Sequence, residues 1–308
     1  MIILRSYKKI AASGVLLLAS AVSFAQTPNI TDQALSAEAP TGAVKEGWRP
    51  SLVTDGAYDR VPRVAEALPW QPVREADVMW RKRVWREINT LEKQNLAFRY
   101  PGDEYTGGGY FIEILLHAIK NGQIKAYSNF DDRFTQPLSV EQIEEIVRGT
   151  VDTTEVYDPT TNTVQYVVTQ RDFDPDGVTK YRLKEDWIFD RNLGRMVVRI
   201  IGIAPVQDIR DPLTNEVRGQ SALFWVYYPD ARNTLAQYEV FNPENDVQRL
   251  TWDDYFEGRF FSSRIIKISN PFDQFIQGLP GMNAMDALYE SQRTTEMLMN
   301  KEHDMWVY

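Results

Sequence analysis

The chain has 308 residues, and its 34 lysines and arginines against 43 aspartates and glutamates give a formal net charge of -9 at pH 7. This acidic balance disfavours nucleic acid and anionic lipid surfaces as partners. Cysteine is absent, which excludes disulfide bonds, thiol nucleophiles, zinc–thiolate sites and iron–sulfur clusters.

The first 25 residues have the organisation of a cleavable secretory signal peptide. Arg5, Lys8 and Lys9 form a charged start, the apolar run 10–22 follows, and Ala25 ends a small-residue cleavage site. The apolar run is shorter than the roughly 20 residues that a membrane-spanning helix needs. Because no cysteine stands at the cleavage point to carry a lipid, we expect an exported protein with neither a lipid anchor nor direct membrane insertion.

Residues 26–74 are punctuated by prolines and contain few apolar residues, which predicts an extended proline-rich arm. Trp48 and Trp70 are large aromatic side chains of the kind that anchor an arm on a neighbouring surface. A solvated linker is the alternative interpretation of the same composition.

Residues 75–272 carry the periodic patterns of a folded core, which opens with predicted helices. Apolar residues at helical spacing over 78–91 predict a first amphipathic helix. A second helix is predicted over 111–119, after a glycine run. A third begins at Ser139, whose spacing to Gln142 is that of a capping box.

The pattern then changes to β-branched and aromatic runs, which predict strands. These runs occupy 164–168, 196–203 and 223–228. A second capping box at Thr251 opens the aromatic stretch 252–261, and we predict that the helical character extends over 264–268. The sequence therefore predicts an α+β fold with helices packed on a short mixed sheet.

A weak internal repeat relates residues 125–143 to residues 236–255. Both copies contain a tyrosine, a phenylalanine, a polar loop and a capped helix start. The repeat suggests two loosely related lobes. Residues 273–308 form a polar, methionine-containing C-terminal tail, for which we predict a loosely attached helix.

An acidic turn resembles half of a calcium-binding loop. Asp172, Asp174 and Asp176 occupy its first, third and fifth positions, and Gly177 follows at the sixth. Leu183 stands at the twelfth position, where a calcium loop needs a bidentate glutamate. We interpret the segment as a tight turn and keep a periplasmic calcium-binding module as an alternative function.

Other groups capable of chemistry are scattered. His117 and Glu113 share a helical face at a spacing that can hold a metal, although a solvated helix face also explains them. Asp253, Asp254 and Glu257 could suggest the acid pair of a wall-polymer hydrolase, but acidic residues are also favourable at helix starts. We expect no enzyme activity, no cofactor and no metal, with a carboxylate-dependent wall-polymer hydrolase as an alternative.

Aromatic side chains in the arm and after the second capping box are typical of protein contacts. The predicted protein-interaction residues are Trp48, Trp70, Trp252, Tyr255 and Phe260. The alternative for each is a place in the core.

Three strings are compositionally unusual. They are the run Val73 to Ile88, which contains Met-Trp-Arg-Lys-Arg-Val-Trp-Arg, the Tyr100-Pro101 pair, and the run Trp252 to Ser263. Together they resemble the gliding motility protein family GldN, also called PorN, of the type IX secretion system. The resemblance covers residues 73–272 and leaves the arm and the tail unmatched.

The resemblance implies a non-enzymatic structural subunit of the periplasm. Such a subunit would assemble into a ring beneath the outer membrane with the lipoprotein GldK, or PorK, which would hold it at the inner face of that membrane. The resemblance also implies contact with the periplasmic part of GldM, or PorM. It implies no catalytic or cofactor residues.

Overall fold

The structure is a computed structural model that describes residues 66–102, 109–147, 151–158, 163–170, 173–210, 217–245 and 247–306. The described residues form one compact unit of mixed helices and strands, which confirms the predicted α+β class. Trp48, Asp172 and the predicted signal peptide lie outside these ranges.

Eleven strands and five α-helices make up the described regions. The strands are β1 (Val78–Asn89), β2 (Ala126–Tyr127), β3 (Val151–Asp158), β4 (Thr163–Gln170), β5 (Val178–Asp190), β6 (Arg195–Arg210), β7 (Val217–Ala222), β8 (Trp225–Tyr227), β9 (Glu239–Val240), β10 (Leu250–Thr251) and β11 (Arg264–Ile268). The helices are α1 (Phe111–Lys120), α2 (Val140–Val147), α3 (Tyr228–Leu235), α4 (Trp252–Glu257) and α5 (Ala284–Met305). Short 3-10 helices span Glu75–Asp77, Lys93–Arg99, Pro175–Gly177 and Ile276–Gly278.

A seven-stranded sheet organises the fold. Its strand order is β11-β1-β5-β6-β8-β2, and β7 also pairs with β6. Every pair is antiparallel, and β5 and β6 run for 13 and 16 residues, so the sheet is longer and less mixed than the sequence predicted. Of the predicted repeat, the first copy contributes β2 to this sheet, whereas the second copy contains β9 and β10, which pair with each other in a separate two-stranded sheet.

The first predicted helix is wrong, because residues 78–89 form strand β1. This strand lies between β5 and β11, and both of its faces are covered. Val84 packs in one apolar cluster and Trp85 in another, since consecutive strand residues point to opposite faces. Burial on both faces removes the alternation that identifies a half-buried strand and leaves apolar residues at spacings that imitate a helix. The helix predicted over 264–268 is also wrong, because these residues form the edge strand β11.

The helices predicted from local signals are confirmed. At α2, the Ser139 amide donates to the Gln142 side chain at 2.9 Å, and the Gln142 amide donates to the Ser139 hydroxyl at 3.3 Å. At α4, the Asp254 amide donates to the Thr251 hydroxyl at 3.1 Å. Both capping boxes satisfy backbone donors that the first turn leaves without helical partners.

The C-terminal helix α5 packs against the edge strand β11. Its buried stripe includes Ala287 and Leu298, which join a cluster with Val84 and Ile265. Asn283 caps its start by accepting a hydrogen bond from the Asp286 amide at 2.9 Å. No helix in the described part of the chain is long and apolar enough to cross a membrane.

Ion pairs between strands fix the pairing of β1 with β5. Arg83 lies opposite Asp186 and donates to it twice, at 2.8 and 3.0 Å, while Arg81 donates to the same carboxylate at 2.7 Å. Burial alone would raise the pKa of Asp186, but hydrogen bonds and positive charge from Arg83 and Arg81 outweigh it and hold that pKa below its ordinary value. The folded state therefore favours the ionised carboxylate.

We expect the Asp186 pairing to make stability fall in acid. Because the folded pKa is depressed, the stabilisation is present above the ordinary aspartate pKa of about 4 and is lost as pH falls through the folded value. Asp186→Asn should lower the free energy of unfolding at pH 7 and weaken its dependence on pH below about 4. Urea unfolding across this range checks both effects, with the exposed Asp304→Asn as the control. An unchanged acid slope in Asp186→Asn contradicts the prediction.

Candidate interaction surface

The predicted interaction residues occupy two different environments. Trp252 and Tyr255 on α4 are buried, with exposed fractions of 2% and 5%. Phe260 is 51% exposed, and Trp70 lies half-buried where the N-terminal segment meets the core. Of the four predicted interaction residues that the structure describes, Phe260 and Trp70 are therefore the two placed to present an aromatic surface.

Trp252 and Tyr255 belong to an aromatic cluster centred on Phe98. The Phe98 ring centroid lies 5.1 Å from that of Trp252 and 5.8 Å from that of Tyr255, and Phe111 lies 4.4 Å from Trp252. Burial raises the pKa of the Tyr255 hydroxyl to about 12. These two side chains stabilise the core, so we do not retain the hypothesis that they form part of an interface.

Trp70 docks in a slot formed by α3, α4 and β6. Its indole nitrogen donates to Glu257 at 2.9 Å. The guanidinium groups of Arg199 and Arg232 lie 4.8 and 4.7 Å from the indole ring centroid. Two cation–π contacts and one charge-assisted hydrogen bond therefore hold this residue, which is the arrangement of an anchor.

A buried ion pair supports the slot from below. Arg232 donates two hydrogen bonds to Asp253, both at 2.9 Å, and the Tyr228 hydroxyl donates to the same carboxylate at 3.0 Å. Burial and the negative charge of Asp253 raise the pKa of Tyr228 far above its ordinary value. The hydroxyl therefore stays protonated and keeps its hydrogen bond to Asp253, and the two hydrogen bonds from Arg232 to Asp253 fix the guanidinium beneath Trp70.

Phe260 lies in a patch of exposed apolar side chains. The Gln94 side chain donates to the Phe260 carbonyl at 3.3 Å, which places Phe260 beside the 3-10 helix Lys93–Arg99. Leu96 on this helix and Leu91 just before it are also more than half exposed. An exposed aromatic ring beside exposed leucines is a candidate protein contact.

The outer face of α5 is a second apolar surface. Its buried stripe faces the sheet, whereas several large apolar residues on the helix and its C-cap are at least half exposed. At 100° per residue, Met285, Tyr289 and Met299 lie on the side away from the buried stripe, whereas Leu288 and Trp306 lie at its flank. Met285, Tyr289 and Met299 are each more than half exposed, so this face is a candidate contact for another protein.

The acidic turn is held by contacts within the chain. Asp174 accepts from the Asp176 amide at 3.0 Å, and Arg99 donates to Asp176 at 2.7 Å. Strands β4 and β5 flank the turn, whereas a helical calcium-binding motif has helices on both sides. Within the ranges that the structure describes, no three histidine, aspartate or glutamate side chains are grouped to hold a metal.

His117 and Glu113 serve different local contacts. Glu113 is buried and accepts from the Tyr110 amide at 2.8 Å, so it closes the start of α1 and does not lie on the solvated face that the sequence predicted. His117 contacts the Tyr238 hydroxyl at 3.2 Å. The pair forms no common ligand set.

The slot residues Arg199, Arg232 and Glu257 were not predicted from the sequence. They are distant from Trp70 along the chain, and no local motif links them to it. One signal was available, because Arg199 interrupts the β-branched run of β6. A charged side chain within a strand that its sequence predicts to be buried needs an oppositely charged or hydrogen-bonding partner.

We expect Trp252 and Phe260 to differ sharply in their effect on stability. Trp252→Ala removes a 2% exposed indole from the aromatic cluster and should lower the free energy of unfolding by about 3 to 5 kcal/mol. Phe260→Ala should change it by less than about 0.5 kcal/mol. Chemical unfolding of both variants measures the difference, and equal losses would show that the two residues share one environment.

We expect Trp70→Ala to release the segment that precedes β1. Loss of the indole removes the Glu257 hydrogen bond and both cation–π contacts, so tryptic cleavage after the exposed Arg74 should accelerate by about tenfold or more. Trp70→Phe keeps an aromatic ring but has no hydrogen-bond donor, so its cleavage rate should lie between those of the wild type and Trp70→Ala. Leu68→Ala, at a residue that is 75% exposed, is the control. Cleavage at the wild-type rate in Trp70→Ala would show that the slot does not hold the segment.

Comparison with known families agrees with these features. Residues 73–307 match the family of gliding motility associated protein GldN, a range that begins before β1 and includes all of α5. No individual curated protein matches the chain. The match covers most of the sequence and every described strand and α-helix. The chain therefore belongs to the GldN family of gliding motility associated proteins, a component of the gliding and type IX secretion machinery.

Proposed function

We propose that this protein is a non-enzymatic structural subunit of the type IX secretion and gliding machinery. In this proposal it forms a ring beneath the outer membrane with a lipoprotein of the GldK or PorK kind, and it contacts the periplasmic part of GldM or PorM. Family membership over residues 73–307 is the observation that carries the proposal.

We also propose that the protein acts in the periplasm. The signal-peptide pattern of residues 1–25 supports export, and the absence of cysteine leaves no residue for a lipid at the cleavage site. A protein without its own lipid must be held at a membrane by contact with another component. The lipoprotein partner supplies this attachment in the proposed assembly.

The carboxylates of α4 already have partners within the chain, and this supports a structural function. Asp253 accepts from Arg232, the Asp254 carboxylate accepts from the Thr251 amide and hydroxyl at the start of the helix, and Glu257 accepts from Trp70. A glycosidase needs one carboxyl group that can donate a proton and a second that acts on the sugar or on water. Carboxylates that already serve as cap and ion-pair partners are poorly suited to these tasks, so we favour a scaffold over the wall-polymer hydrolase.

Two surfaces support assembly through protein contacts. They are the patch around Phe260 and the outer face of α5. Both expose large apolar side chains, which are enriched where proteins associate. We propose that the α5 face meets the lipoprotein partner and that Phe260 contributes to a contact between subunits.

We expect a charge on the outer face of α5 to weaken assembly. Met299→Asp places a carboxylate among the exposed apolar residues, whereas Met297→Asp introduces the same change about 200° around the helix, given 100° per residue. The two methionines are 65% and 50% exposed, so neither change should unfold the protein. Co-purification of the lipoprotein from envelope extracts should fall by about tenfold or more for Met299→Asp and remain unchanged for Met297→Asp.

Electron microscopy of the purified product tests the ring itself. Co-purification with a lipoprotein as a closed ring supports the proposal. A monodisperse wild-type monomer without a partner in envelope extracts refutes it. If Met299→Asp still co-purifies with the lipoprotein and the ring still forms, the proposed assembly is supported. The α5 face is then not the surface that contacts the lipoprotein.

A further inference from the structure

A polar cavity of about 610 Å³ lies where the sheet meets the C-terminal region. Side chains from β1, β5, β7 and β11 line one part, and the 3-10 helix Ile276–Gly278 and α5 line the rest. Its volume falls within the range of small-ligand pockets, which is about 300 to 1,000 Å³. None of its lining residues belongs to the Trp70 slot or to the Phe260 patch.

Positive charge dominates the cavity in an otherwise acidic protein. Glu87 is 4% exposed and lies opposite Arg182 on β5 and Arg264 on β11. Arg264 donates to Glu87 at 2.6 Å, the Lys180 ammonium lies 3.2 Å away, and the Arg182 Nε lies 3.9 Å away. Among the residues that the structure describes, three cations thus share this one carboxylate, so the positive charges exceed the negative charge by two.

Arg182 is the least satisfied of the three cations. Its Nε is buried and makes no hydrogen bond, and among the described residues the one carboxylate paired with it is that of Glu87, at a distance too long for a hydrogen bond. Burial lowers the pKa of Arg182, and Glu87 opposes that effect only in part. A buried donor without an acceptor destabilises the folded protein, and a bound anion would remove that cost.

The cavity also has apolar walls. Phe275 lies over the Arg182 guanidinium, with 5.4 Å between the ring centroid and the cation. Ile276 and Leu288 line the cavity near it. A ligand that fills this space would therefore meet a cationic base and an apolar wall.

We propose that the cavity binds a divalent oxyanion, a phosphate monoester with an apolar group attached to it. A dianion matches this excess of two positive charges, whereas a single carboxylate would leave one of them unmatched. Arginine presents donors in a planar fork that fits phosphate oxygens, and Arg182 and Arg264 reach the cavity from strands on either side of β1. The apolar walls would hold the group esterified to the phosphate.

This inference is independent of the proposed ring. The phosphate monoester can be a soluble molecule or the headgroup of a lipid, and both present the same dianion to the arginines. Assembly with the lipoprotein can fail while the cavity binds phosphate, and the reverse outcome is equally possible.

Calorimetric titration of the full-length folded protein with inorganic phosphate tests the site. Ionic strength is matched with chloride, because non-specific attraction is screened by salt. We expect saturable binding to the wild type and a dissociation constant raised by about tenfold or more in Arg182→Gln. Arg293→Gln on α5, whose side chain is 81% exposed, removes the same charge away from the cavity and should bind like the wild type.

Arg264→Gln is the second variant, because its side chain is 41% exposed and its replacement is better tolerated if Arg182→Gln fails to fold. Absence of saturable binding in the wild type, or unchanged affinity in the folded arginine variants, would overturn the proposal. Co-sedimentation with phosphatidic acid vesicles, compared with glycerol 3-phosphate in solution, separates the sources. Binding to vesicles that Arg264→Gln abolishes assigns a lipid headgroup, and binding of glycerol 3-phosphate alone assigns a soluble ester.

Discussion

Pairing of charged side chains across β1 holds the sheet on which every other element depends. Arg83 faces Asp186 on β5, and Glu87 faces arginines on both neighbouring strands. An unpaired charge buried in the sheet would be costly, so each pair stabilises one register. A slip by one residue would turn the charged side chains of β1 to the other face and separate them from their partners. The sheet therefore owes its register to electrostatic pairing as well as to apolar packing.

This sheet carries two candidate surfaces of different character. At α3 and α4, a buried arginine–aspartate pair supports the Trp70 slot, and the aromatic cluster around Phe98 packs beneath the same helix. At β11, helix α5 covers the edge of the sheet, presents an apolar outer face and closes the cationic cavity. The first surface attaches the N-terminal segment to the core. The second is the candidate surface for other molecules. The contacts that hold the N-terminal segment and the candidate binding surface therefore lie at different places on the sheet.

Features encoded within a few residues were predictable, and features that depend on distant partners were not. The capping boxes at Ser139 and Thr251 identified two helices because each signal lies within four residues. Strand β1 was mistaken for a helix because its burial on both faces is set by strands about a hundred residues away. Trp252 and Tyr255 were predicted at a surface for the same reason, since Phe98 and Phe111 come from earlier elements. The family resemblance was recognisable because it rests on contiguous strings, and the matching range extends it to residue 307.

The Trp70 slot determines how the core would respond to a mechanical load. Tension applied to the chain before Trp70 reaches the indole first and passes through Glu257, Arg199 and Arg232 into α4, β6 and α3. Strand β1 begins only after this point, so it is shielded from being peeled off the sheet one hydrogen bond at a time. The force must instead break several side-chain contacts together. A protein built in this way can be pulled by its N-terminal segment while its central strand stays paired.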